Sequence, residues 1–246
     1  MRSVIVVACA LACGACVQET VRFEGKPGQQ SLVRDGRPAL ISKKKTSLVM
    51  IRPAARQMAA GGRPVFVVGL RNLTKKPLEF RVREVAVTQV AGTASVPMKV
   101  LTYEDLVQEE KTKQAVAAVL IGAAAGLNAV AAADDGYGYS WRTTNGRTYE
   151  TVSYSSVRAR TAQRRAMRKN EKMIDAAIAQ GQKNLTILER DVLKDNTLLP
   201  GEWYGGTLHL APPARSESAV AAKTYTIALT VGQDRHEIGV VQSGQQ

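Results

Sequence analysis

Three patterns of hydrophobic and polar positions follow one another along the chain. Residues 46–52 (TSLVMIR), 64–72 (PVFVVGLRN), 78–90 (LEFRVREVAVTQV) and 95–101 (SVPMKVL) are rich in Val, Leu and Phe, and KKK, GG, NLTKKP and AGT separate them. Short β-branched and aromatic runs between such turn signals predict strands. Within 78–90, Phe80 and Val82 alternate with Arg81 and Arg83, as in a strand with one wet face. The pattern returns at 205–211, 224–231 and 235–242, with a GQD turn between the last two that suits a hairpin. The two strand-rich blocks together match the roughly 100 residues of an immunoglobulin-like sandwich. The predicted fold is therefore α+β, an immunoglobulin-like β-sandwich interrupted by a long projecting α-helical hairpin. Its parts are 38–101 and 194–246, the insertion is 102–193, and 17–37 reads as a polar tether.

The insertion changes period. Thr102–Asp105 (TYED) is a capping-box-like start, and from there to Ala133 only two glycines oppose a helix. A helix of that length is a rod of about 45 Å. A second helix is predicted from Ser156 to about Leu193, antiparallel to the first. Between Ala115 and Ala133 the first helix carries no charge, which is long enough for a membrane span. Its six Val, Leu and Ile residues supply only about −2 to −4 kcal/mol of insertion energy, and Asn128 and the two glycines oppose insertion. Ala118, Gly122 and Gly126 form a small-xxx-small ridge that lets another helix approach closely. The stretch fits burial against a partner helix or an oligomer mate, insertion into a bilayer, or a flexible segment.

Between the helices, Asn145-Gly146 flanked by SWRTT and RTYET is a strong hairpin signal. Tyr137, Tyr139, Trp141, Tyr149 and Tyr154 gather here. Such a tip is a solvated loop, an adaptable protein-binding surface or an aromatic belt at a membrane interface. The second helix opens with Arg158, Arg160, Arg164, Arg165, Arg168, Lys169 and Lys172, roughly opposite a stripe of Ala162, Ala166, Met173, Ile174 and Ala177. Cations in the first turns of a helix are disfavoured by its macrodipole. Three accounts of this face stand together: solvation, acidic lipid headgroups or lipopolysaccharide phosphates, and an acidic protein patch.

Composition sharpens this reading. A chain of 246 residues, 45% of them apolar, can bury a sizeable core in one or two domains. Of its formal charge of +13, residues 158–172 hold +6. With two histidines and three cysteines, few groups are available for metal or nucleophilic chemistry. His209 and His236 fall on predicted strands beside Asp234 and Glu237, without the dense spacing of a metal site. There is no HExxH, no GxSxG and no CxxC beyond the first residues, and no P-loop spacing. The chain is read as a non-enzyme that needs no cofactor. No nucleic-acid module accompanies the basic helix, so nucleic acid is not an expected partner.

All three cysteines, Cys9, Cys13 and Cys16, lie in the first sixteen residues, where one positive charge precedes a short apolar run and small residues. That is the form of an export signal, and ending in ALAC and CGAC it resembles the signal of bacterial lipoproteins. The resemblance implies lipidation of a cysteine that becomes the mature N-terminus: Cys16 on length, with Cys13 as the alternative. No Asp follows Cys16, which in that family implies the outer membrane, with the body facing the periplasm. LRNLTKKPLEF and NTLLPGEWYGGTLHL resemble uncharacterised periplasmic β-sandwich lipoproteins, a likeness that implies no activity. The expected function is structural: a lipid-anchored envelope protein that assembles with itself or adapts to a partner through its helical hairpin. The alternative is a protein that inserts 115–133 into a membrane and oligomerises there as a pore or anchor.

Overall fold

The computed structural model describes residues 18–91, 94–135, 137–145, 147–214 and 222–244. The cysteines proposed for lipidation lie outside these residues. The described chain is a β-rich α+β fold in two compact units. One runs to Thr102 and resumes at Val192; the other is Tyr103–Asp191.

The strands of the first unit are β1 (Gln18–Glu24), β2 (Gln29–Arg34), β3 (Arg37–Lys43), β4 (Ser47–Pro53), β5 (Met58–Ala59), β6 (Val65–Asn72), β7 (Leu78–Phe80), β8 (Ala86–Ala91), β9 (Ala94–Met98) and β10 (Val100–Leu101). The second unit holds α1 (Tyr103–Asp134), β11 (Tyr137–Thr144), β12 (Arg147–Tyr154) and α2 (Ser156–Asp191). The chain then returns to the first unit through β13 (Asn196–Leu198), β14 (Trp203–Leu210), β15 (Lys223–Val231) and β16 (Asp234–Gly244).

Two antiparallel sheets build the first unit among the described residues. One has the order β13-β7-β15-β16-β1-β5, with β8 and β9 continuing from β15; the other has the order β10-β14-β6-β4-β3-β2. Alternation explains the pairing: β4 buries every second residue, and Val49 and Ile51 are fully covered. The apolar faces of both sheets meet in one core, in which Phe66 of one packs edge-on against Tyr225 of the other at 6.3 Å.

Two expectations are corrected here. The polar tether forms β1, β2 and the start of β3. β1 is held by a buried ion pair, Lys223 Nζ to Glu19 Oε1 at 2.6 Å. Gln242 Nε2 donates to the other Glu19 oxygen at 2.5 Å, and Tyr225 donates to Gln242 at 3.1 Å. The strand expected over 78–90 is two strands with a 3₁₀ turn (Val82–Glu84) between them. Both Val82 and Val85 are buried, which breaks the period of two, and Val82 N–H donates to Asp195. Asn72 is fully buried and clips the following turn: its amide donates to the carbonyls of Lys76 and Leu198 and accepts from Thr74.

Candidate functional site: the helix and β-hairpin unit

The unit Tyr103–Asp191 has little interior of its own. Among its described residues only Leu106 and Gly181 are buried. α1 starts with Glu104 and Asp105 in its first turn, which favours the positive end of the helix dipole. α2 is preceded by Ser155, whose hydroxyl accepts from Arg158 N–H at 3.4 Å. The helices meet along a seam with coiled-coil spacing. Its half-covered positions include Glu110, Gln114, Ala117, Ile121, Ala124 and Asn128 on α1, and Ala162, Ala166, Asn170, Met173, Ala177 and Asn184 on α2, where Gly181 is buried.

Polar pairs set the register of this seam. Asn128 Nδ2 donates to Asn170 Oδ1 at 2.8 Å, and Asn184 Nδ2 donates to Glu110 Oε1 at 2.9 Å. Gln114 lies directly over Gly181, where an added Cβ would come within 2.6 Å of the amide. Sequence reasoning missed these residues. Their signal was a polar or glycine position recurring at steps of three and four within an otherwise small-residue surface.

The expected ridge takes another place. Ala118, Gly122 and Gly126 are exposed, and a Cβ on either glycine would meet nothing within 4 Å. Ala118 and Gly122 instead line an open groove of about 540 Å³ with Ala117, Ile121, Ala125, Ile174, Ala177 and Ile178, bounded by Gln114 and Asn184. Ile174, expected on the buried stripe, is 45% exposed at its edge. α1 is also apolar on its other sides: Val116, Val119 and Leu120 are 54%, 72% and 65% exposed. Among the described residues no helix is long and apolar enough to cross a membrane. The helical-span expectation for 115–133 is therefore set aside: alanine and glycine add length without much hydrophobicity, and Asn128 is committed to Asn170.

β11 and β12 pair in register from Tyr137↔Tyr154 to Thr144↔Arg147, and Asn145 takes a left-handed φ of 52° at the turn. Strand alternation then divides the ribbon. Tyr137, Tyr139 and Trp141 fall in phase with Tyr154 and Val152, and these five are exposed. The Tyr137 and Tyr154 rings touch at 5.2 Å. The opposite phase carries Gly138, Ser140, Arg142 and Thr144, with Ser153 and Thr151 across from them. Tyr149 occupies the register position opposite Arg142, out of phase with the other four aromatics; its side chain lies outside the described residues. The Arg158 guanidinium covers Gly138. Arg160, Arg164, Arg165, Arg168, Lys169 and Lys172 are all exposed.

Outside this unit, the sequence candidates for chemistry are the two histidines and their neighbours. His236 is fully buried; its Nδ1 is hydrogen-bonded with the Ser42 hydroxyl at 3.0 Å and its Nε2 with the Ser47 hydroxyl at 2.8 Å, while Ser47 donates to Asp234 at 2.8 Å. Burial lowers the His236 pKa to about 4, so the ring is neutral at physiological pH. Burial works to raise the Asp234 carboxyl, but hydrogen bonds from Thr46 and Ser47 outweigh it and hold it below the usual range. Ser42 and Ser47 are as buried as the ring. His209 lies in the other sheet and contacts Thr207 at 3.1 Å. Among the described residues no cluster of three or more His, Cys, Asp and Glu could hold a metal.

No family model, curated protein or solved structure matches the chain.

Proposed function

We propose that this protein is an envelope assembly component, with an immunoglobulin-like β-sandwich as base and the helix and β-hairpin unit as the assembling part. It acts by binding and carries no catalysis of its own. Its export-type N-terminus, with Cys16 or Cys13 as the lipidated residue, supports an anchor in the outer membrane with the body in the periplasm.

One observation carries the assembly reading: a helical stretch that is apolar on all sides is buried by something on all sides, and the uncharged stretch of α1 from Ala115 has one partner helix. Val116, Val119 and Leu120 face away from the seam and remain exposed. A second copy offers the matching chemistry, an equally small and apolar groove lined by Ala118, Gly122 and Ile178. Copies that bury these faces against one another regain the hydrophobic energy that the isolated unit lacks, at about 25 cal/mol per Å².

A photo-crosslinking amino acid at Leu120 of the full chain, expressed in bacteria, tests this. Covalent dimers and higher species of the chain are expected. Capture of a different protein alone would make the unit an adaptor. No product from Leu120, with an active control position elsewhere, would overturn the reading.

A further inference from the structure

The ribbon β11–β12 is two-faced in a way that assembly through α1 does not explain. Its aromatic face carries Tyr137, Tyr154, Tyr139, Val152 and Trp141, each 48% to 67% exposed, with Glu150 paired across from Trp141. No Leu, Ile or Phe is among them. Tyrosine and tryptophan join an apolar ring to a polar edge, the combination that settles where hydrocarbon gives way to water. A two-stranded ribbon by itself is only marginally stable in water, so its aromatic face gains from being covered.

Charge says what covers it. α2 begins two residues after Tyr154, with no acidic residue in its first turn. Arg160, Arg164, Arg165, Arg168, Lys169 and Lys172 form no ion pair among the described residues. They occupy the half of the helix opposite the seam with α1, over a length of about 20 Å. A dense anionic surface compensates these unpaired cations beside the aromatic ribbon.

We propose that this part of the unit docks on the surface of a bilayer bearing anionic headgroups. The aromatic face of β11–β12 enters the headgroup region, and the cations of α2 bind the phosphates. This contact is separate from assembly, which uses the faces of α1 around Leu120.

The chain has two tryptophans, Trp141 on the ribbon and Trp203 on β14. In the full chain with Trp203→Phe, Trp141 alone reports on the ribbon, whatever else tethers the protein to lipid. With vesicles of phosphatidylglycerol and phosphatidylcholine, Trp141 fluorescence is expected to shift to the blue, to be quenched by brominated lipid and to be shielded from iodide. Raised salt should weaken the effect. Arg164→Gln, Arg165→Gln and Arg168→Gln together should weaken it about a hundredfold, at about fivefold per cation near the surface; salt tests the same term without a variant. Unchanged iodide access with vesicles present would overturn the proposal. So would an equal response to phosphatidylcholine alone, or a blue shift that rises with protein concentration in the absence of lipid, which would show the ribbon covered by other copies.

Discussion

The two units of this chain keep their energy in different places. The β unit closes its own core: among the described residues twenty-three buried apolar side chains form one cluster between the sheets, and Glu19, Asn72, His236 and Gln242, buried beside them, have partners. The helix and ribbon unit is of similar regularity, yet Leu106 and Gly181 are its only buried residues among those described. Its apolar side chains lie on the outside. Regular secondary structure is therefore no measure of self-sufficiency. A long helix pair with a thin seam is a surface prepared for something else, whereas the sheets are finished without it.

The sharpest way to break this contrast is to remove a partner inside the finished unit. Glu19→Ala leaves Lys223 buried and uncompensated, a change that costs about 3–5 kcal/mol. Hydrogen exchange should show the loss in β15 and β16, with the amides of α1 and α2 unaffected. Replacing both partners, Glu19→Leu with Lys223→Met, should recover most of it. Equal loss in both units would mean that they fold as one cooperative body, and the contrast would fall.

Acid offers a second, smaller lever. His236 has its pKa lowered to about 4 from an unfolded value of 6.5. The unfolded chain therefore takes up a proton first as pH falls. Stability from the neutral ring is complete above 6.5 and is lost between 6.5 and 4, amounting to about 2 kcal/mol by about pH 5. Denaturation of the β unit at pH 8 and near pH 5 should show this slope, and His236→Gln should remove it. The helical unit contains no histidine and should be flat across the same window.

These effects rest on features of very unequal visibility in the sequence. The helices could be read because their ends are local: TYED starts α1, and the Asn145-Gly146 turn forces the chain back before α2. β1 could not be, because QETVRFE reads as polar until Glu19 meets Lys223, 204 positions away. The run 78–90 was misread as one strand because Val82 and Val85, three apart, are both buried, and Asp195 ties the turn from far along the chain. The side of α1 that meets α2 was hidden for a different reason. In a helix that is small and apolar all round, the period of small residues names no face. Two polar side chains, Gln114 and Asn128, turned toward Gly181 and Asn170, decided which side met α2.

That decision makes a third test possible. Asn128→Ala removes one bond across the seam and leaves Asn170 half-covered without its donor, at a cost of about 1 kcal/mol. Faster exchange is expected along the adjoining turns of both helices, with the β unit unmoved. An effect as large as that of Glu19→Ala would show that the seam carries more than its burial accounts for.

The smallest expected effects are the most discriminating, because their sign differs between faces of the same helix pair. At Gly122 and Gly126 an added methyl meets nothing within 4 Å. Alanine there raises helix stability by about 0.8–1 kcal/mol per site through backbone entropy alone. At Gly181 the same methyl would come within 2.6 Å of the Gln114 amide, so Gly181→Ala must displace that side chain and should destabilise the seam. Hydrogen exchange of α1 in dilute monomer reads both signs. Crosslinking from Leu120 then separates the exposed ridge from a contact between copies: if copies seat on Gly122 and Gly126, the alanines that stabilise the monomer weaken the crosslink. A gain in helix stability together with a loss of association is what a surface reserved for another subunit predicts. A gain in both would leave the ridge an exposed flaw of α1, and assembly would rest on Val116, Val119 and Leu120 alone.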